Sequence, residues 1–148
     1  MKKTAVLILA MIAGFILITP FLKAEGNEHI AVTKIQMVFN DHKVIVELFD
    51  NPASRDFISL LPFTGNFEDF AGAEKISYLP RKLNTEGSPT AKQARGDFTY
   101  YAPWGNLAVF YKGSGTDGNL YVLGKILSGK EHLGKMNRNF TATIEKID

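Results

Sequence analysis

After its first thirty residues the chain alternates apolar and polar positions with a period near two, the signature of half-buried strands. From Thr33 to Phe39, Ile35, Met37 and Phe39 fall on one face, and Lys34, Gln36 and Val38 on the other. Asn40-Asp41-His42 is a turn by composition. In Lys43 to Phe49, Val44, Val46 and Leu48 face one way and Ile45 and Phe49 the other, as in a central strand or a barrel wall covered by a helix. The period then changes. Asn51 is placed to cap a helix, Pro52 suits its first position, and Ala53, Phe57, Leu60 and Leu61 recur at helical spacing before Pro62 ends it.

Phe63 to Leu79 predicts two short strands around Gly72, with Gly65 and Gly72 expected as bulges that bend a barrel wall. Pro80 to Arg95 has little periodicity and is expected as a long surface loop, a feature often functional in a compact domain. Gly96 to Gly113 holds Trp104, the one tryptophan, and a Pro103-Trp104-Gly105-Asn106 turn between two aromatic-rich runs. Such a pattern predicts a hairpin, with Phe98 and Tyr100 on one face before the turn and Leu107, Val109 and Tyr111 on one face after it. A flexible loop over 113–119 precedes a strand from Leu120 to Leu127 with a bulge at Gly124. A short helix over Gly129 to Met136 and a closing strand carrying Phe140, Ala142 and Ile144 complete the chain. Many strands with one or two interspersed helices fit a mostly β fold, a closed antiparallel barrel capped by helices.

The N-terminus changes the charge picture. Met1-Lys2-Lys3 followed by an apolar run from Ala5 to Leu22 reads as an export signal, residues 1–24, with Ala24 before the cut. An uncleaved membrane anchor is the alternative, since ~18 apolar residues suffice to span a bilayer. The barrel domain is expected over 30–148, in the periplasm or outside the cell, and as a monomer. The whole chain has 17 basic and 15 acidic residues; residues 1–24 hold Lys2, Lys3 and Lys23 and no acids, leaving 14 against 15, a net of −1. The remainder has no basic run of the kind that nucleic acid requires. With no cysteine, the fold relies on its core, and thiol nucleophiles and thiolate metal sites are excluded.

Two stretches resemble the cyclophilin fold. Lys43 to Phe49 followed by Asp50-Asn51-Pro52-Ala53-Ser54-Arg55-Asp56-Phe57 is similar to the second strand and first helix of cyclophilins. Asp117-Gly118-Asn119-Leu120-Tyr121-Val122-Leu123-Gly124-Lys125-Ile126, with Gly129, Leu133 and Met136 after it, is similar to their late strand and helix. With the hairpin, the resemblance covers most of residues 32–147 and is closest to the minimal bacterial cyclophilin-like family. The resemblance implies a cyclophilin-like barrel. It does not imply prolyl isomerase activity. The Phe-His-Arg of active isomerases is absent, their Gly-Ser-Gln-Phe-Phe reads Gly105-Asn106-Leu107-Ala108-Val109-Phe110, and Leu120 stands where a histidine is expected. Placed donors are what lowers the barrier to peptide rotation, and only Phe110 remains of the proline pocket.

Candidate ligand residues are therefore Tyr100, Trp104, Phe110 and Tyr111, with neighbouring Tyr101, as a groove for a peptide or small molecule. The competing reading makes the alternating aromatics core, with Trp104 covering a barrel end. Arg81 is a candidate substitute for the missing arginine, against the plainer reading of a solvated loop residue. His29, His42 and His132 have no metal-ligand spacing; alternation puts Glu68 and Asp69 on opposite faces; and Ser54 and Ser114 have no placed base. No cofactor or metal is expected. The leading expectation is an exported non-catalytic binding module, and the alternative is a prolyl isomerase with an altered site.

Overall fold

The computed structural model describes residues 32–91, 96–113 and 117–148. The expected export signal, His29, Ser114 and parts of the 80–95 and 113–119 loops lie outside the described residues. Eight antiparallel strands close into a barrel: β1 (Thr33–Phe39), β2 (His42–Leu48), β3 (Phe63–Phe70), β4 (Glu74–Tyr78), β5 (Asp97–Tyr101), β6 (Asn106–Phe110), β7 (Leu120–Ser128) and β8 (Phe140–Ile147). Around the barrel the order is β1-β2-β7-β5-β6-β4-β3-β8, with β8 pairing back to β1. Two helices are interposed, α1 (Pro52–Ile58) and α2 (Lys130–Lys135).

An eight-stranded barrel has an interior just wide enough for side chains to fill, and the period-two faces fill it. Ile35, Met37, Val44, Val46, Phe67, Phe98, Tyr100, Leu107, Val109 and Ile144 are fully buried there. Phe57 of α1 is fully buried as well and packs on Phe98 with ring centroids 5.6 Å apart. The helix start follows the sequence expectation. Asn51 Oδ1 accepts from the Ser54 N–H at 3.0 Å and Pro52 occupies the first turn. The helix is shorter than its apolar spacing implies. Ser59 is already its C-cap, so Leu60 and Leu61 pack on the core from the turn beyond. Ser54 is structural: its buried hydroxyl donates to the Leu123 carbonyl at 2.8 Å. At the His42 end of β2, Leu133 of α2 is fully buried, and His42 and His132 stack with centroids 4.3 Å apart. Among the described residues no third His, Cys, Asp or Glu completes a metal set around them.

Two glycine expectations change. Gly65 is not a bulge: it sits in a regular ladder opposite Ala142. A Cβ there would lie 2.5 Å from the Phe63 ring and from Ser77 Oγ, so close packing is what selects glycine. Gly72 makes the β3–β4 turn at φ +64, in the left-handed region open to glycine. The expectation at Gly124 holds. The β5–β7 register slips there, with Phe98 opposite Gly124 and Thr99 opposite Val122, so that Leu123 is the extra residue. A Cβ on Gly124 would meet the Glu47 carbonyl oxygen at 2.1 Å and Leu48 Cα at 2.9 Å.

Backbone on one side and bulge on the other leave Gly124 no room to relax. Gly124→Ala is expected to destabilise the barrel by about 2–3 kcal/mol or more. In urea unfolding, Gly118→Ala, which meets nothing within 4 Å, should stay within about 0.5 kcal/mol of wild type. Equal midpoints for the two variants would refute the close-approach account.

Candidate functional site

Strands β5, β6 and the start of β7 carry apolar residues on both faces, β4 adds Ile76 on its outer face, and a barrel has only one inside. The outward set is Ile76, Ala108, Phe110 and Leu120, which with Ala91 form a second buried cluster against Tyr101 and Val122. Part of this outer face is covered by the end of the 80–91 loop. Its backbone pairs with the start of β7, Ala91 N–H donating to the Leu120 carbonyl at 2.7 Å and Val122 N–H to the Pro89 carbonyl at 3.1 Å. The rest is a pocket of about 260 Å³. Its floor is Ala108, Phe110 and Leu120, and Asn106 adjoins them on β6. Phe70, Ala71 and Ala73 contribute from the β3–β4 turn, Glu74 from β4, Tyr101 and Trp104 from the hairpin, and Asp117 from the segment before β7.

Trp104 stands half-exposed at the rim, held edge-on between two rings. Its centroid lies 5.5 Å from Phe70 at 81° and 5.4 Å from Tyr101 at 87°, the geometry that aromatic quadrupoles favour. The turn beneath it is set by Gly105 at φ +71, whose N–H donates to the Tyr101 carbonyl at 2.9 Å.

The polar groups of the lining are few. Asn106 is 1% exposed. Its Nδ2 donates to the Leu107 carbonyl at 2.9 Å, which fixes the amide orientation, since the flipped form would set oxygen against oxygen. Oδ1 is then left buried with no partner, a cost of about 1–3 kcal/mol unless something donates to it. Glu74, opposite Phe110 in the β4–β6 ladder, has its carboxyl pushed up to about 7, first by burial and then by the charge of Asp69. Asp117 Oδ1 accepts from the Asn119 backbone and side-chain N–H groups at 2.8 and 3.0 Å.

The candidate residues divide. Trp104, Phe110 and Tyr101 come together in the pocket. Tyr100 lies inside the barrel, where its hydroxyl accepts from the Leu83 N–H at 3.1 Å. Tyr111 also turns inward, and its hydroxyl donates to Asp69 Oδ1 at 2.6 Å. The same carboxylate accepts from Lys75 Nζ at 2.9 Å, a fully buried ammonium that also donates to the Met136 carbonyl at 2.6 Å. Burial and then the Asp69 carboxylate push the Tyr111 phenol up to about 12. Burial works to raise Asp69, but the bonds from Tyr111 and Lys75 outweigh it and lower it. Arg81 is held elsewhere, its fork donating to both oxygens of Asp56 at 2.9 and 2.7 Å. That contact, against a smaller effect of burial, holds the Asp56 carboxyl at about 2. The expected division of Glu68 from Asp69 is also present, with Asp69 turned to the inward pair Lys75 and Tyr111.

The sequence reading missed Phe70, Glu74, Asn106, Asp117 and Leu120. A usable signal was the outward parity of the hairpin. Phe110 and Asn106 share a face, and any strand paired with β6 must present its own outward residues beside them.

A sequence model of the Cyclophilin-like family matches residues 37–145. The chain belongs to the cyclophilin-like family. No curated protein matches it. Among solved structures, the cyclophilin-like chain is similar to a hypothetical protein from Archaeoglobus fulgidus known from a solution structure. The two share 15% identity with a TM-score of 0.60, over 82% of this chain and 99% of that one. At this identity the likeness speaks to the fold alone.

Glu74 gives a pH test of the site's electrostatics. Folded, it keeps its proton to about pH 7; its ordinary value is 4.5. The folded state therefore binds more protons than the unfolded state within that window, and stability falls as pH rises through it. The carboxyl is only half-buried, so solvent screening reduces the full linkage. Glu74→Gln is expected to exceed wild type by about 1–2 kcal/mol at pH 8 and to differ little at pH 4. Chemical denaturation at the two pH values checks this, and an equal difference at both would count against it.

Proposed function

We propose that the protein is an exported, non-catalytic binding module, a monomer that holds a peptide segment or small ligand in the pocket between Trp104 and Phe110. The observation that carries this reading is an open apolar pocket with an aromatic rim on the outer barrel wall, where the strands have apolar residues to spare. At about 260 Å³ it falls below the roughly 300–1,000 Å³ that encloses a drug-sized ligand. One or two side chains of an extended peptide, or a small organic molecule, match that volume. Export rests on the charged start and apolar run of residues 1–24.

Binding without chemistry is favoured over an altered prolyl isomerase by the polar groups at hand. Among the described residues, the lining holds no arginine, lysine or histidine. Arg81, the one candidate for a substitute donor, has its guanidinium on Asp56 and Ser59. A prolyl carbonyl seated over Phe110 would meet carboxyls and no cationic donor of the kind that weakens amide resonance.

Trp104 is the only tryptophan, so intrinsic fluorescence reports directly on the pocket. Titration with a library of short peptides is expected to shift its emission saturably, and Phe110→Ala should weaken that response at least tenfold. In a protease-coupled prolyl-peptide assay the protein is expected to leave the thermal isomerisation rate unchanged. Saturable acceleration that disappears in Arg81→Ala would instead establish the isomerase reading.

A further inference from the structure

The carboxyls and the one unpartnered buried side-chain atom of the pocket are acceptors, while Trp104 and Tyr101 also bring an indole N–H and a phenol O–H. Glu74 and Asp117 bring carboxyls, and Asn106 brings a buried Oδ1 that no group in the protein satisfies. Asn106 Nδ2 gives one of its two N–H groups to the Leu107 carbonyl. Among the described residues, no hydrogen bond or ion pair reaches the Glu74 carboxyl. Around these acceptors stand the rings of Trp104, Tyr101 and Phe110. Electron-rich ring faces attract a cation within about 6 Å, tryptophan most strongly, and a desolvated carboxyl beside them adds charge complementarity. A buried acceptor with no partner asks further for an N–H or O–H from the ligand.

The geometry points to a primary alkylammonium as the ligand of this pocket, its cation beside Glu74 and the ring faces and its hydrocarbon along Ala108 and Leu120 toward Asn106, whose Oδ1 is open to an N–H elsewhere on the ligand. This rests on the pocket being a binding site and names the chemistry that site selects. A lysine side chain of a peptide and a free small amine share that chemistry. A neutral apolar ligand would leave Glu74 and Asn106 unmatched. An anion would face two carboxyls.

Glu74 also ties occupancy to pH. The charged and titratable groups described around it are Glu68 and Asp69 on β3, Asp117 before β7, Tyr101 on β5 and Lys75 on its own strand, whose ammonium is turned inward to Asp69. Exposed Lys112, after β6, is bonded through its backbone N–H to the Ala73 carbonyl at 3.0 Å. The ionised form of Glu74 is the one that holds a cation. With its carboxyl at about 7, the competent fraction rises, and apparent affinity with it, by about tenfold between pH 6 and pH 8.

The test titrates the full chain with cyclohexylammonium, its neutral isostere cyclohexanol, and cyclohexyltrimethylammonium, following Trp104 emission and, in parallel, heat of binding. Cyclohexylammonium is expected to bind at least tenfold more tightly than cyclohexanol and more tightly than the quaternary ion, which has no N–H. Glu74→Gln should lose at least fivefold for the ammonium and abolish the rise between pH 6 and 8. Acetyl-lysine-methylamide beside acetyl-norleucine-methylamide then separates the sources: the tighter of the lysine compound and the free amine identifies which one the pocket serves. Cyclohexanol binding as well as the ammonium, or Glu74→Gln retaining full ammonium affinity, would overturn the inference and leave the binding reading standing. If neither these compounds nor any peptide perturbs Trp104, the binding reading itself fails.

Discussion

A closed barrel has a single interior, and the wall from β4 to β7 carries apolar residues outside it as well. This one constraint sets the rest. Inside, Phe98, Tyr100, Leu107 and Val109 fill the space left by β1, β2 and β8. Outside, Ile76, Ala108, Phe110 and Leu120 need a second cover. Burying each large apolar side chain is worth about 1.5–3 kcal/mol, so a bare outer face would be costly in water. The chain covers part of it with the 80–91 loop and leaves a bounded part open under Trp104. The position of the pocket follows from strand arithmetic before any chemistry is considered.

Charge is handled by the same logic. The potentially reactive groups near the barrel's ends are nearly all committed to one another. Lys75, Asp69 and Tyr111 share one carboxylate oxygen in a chain that seals the wall beside α2. Arg81 closes on Asp56, and Asn84 N–H joins the same carboxylate at 2.7 Å, so the start of the long loop is tied to α1 while its end lies along β7. What the lining retains is an unmatched set, the Glu74 carboxyl and the Asn106 oxygen. Groups that the fold leaves unsatisfied are the ones a ligand is free to satisfy.

Much of the fold was legible because period two is a local signal. Ile35, Met37, Val44, Val46, Phe140 and Ile144 all point inward as their alternation implies, and the cap at Asn51 is written in three consecutive residues. The pocket was legible only in part. Trp104 and Phe110 were singled out by residue type, but so were Tyr100 and Tyr111, because aromatic character says nothing about which side of a closed wall a ring occupies. Tyr100 and Leu107 are cross-strand partners and share the inward face; Phe110 lies on the opposite parity and faces out. Glu74 carries no signal of its own, since its role depends on the β4–β6 pairing across more than thirty intervening residues. Gly65 was misread for a related reason: the Phe63 ring and Ser77 hydroxyl that exclude a side chain there become neighbours only after the barrel closes.

In the proposed function a ligand binds the outer apolar face, not the barrel interior or the Arg81 edge. Methyl-resolved NMR during addition of cyclohexylammonium reads this face by face. Saturable shifts are expected in the methyls of Ala71, Ala73, Ala108 and Leu120, with Ile35, Leu133 and Ile144 unmoved. Shifts confined to the interior methyls, or to Leu60 and Leu79 near the Arg81 loop, would contradict it.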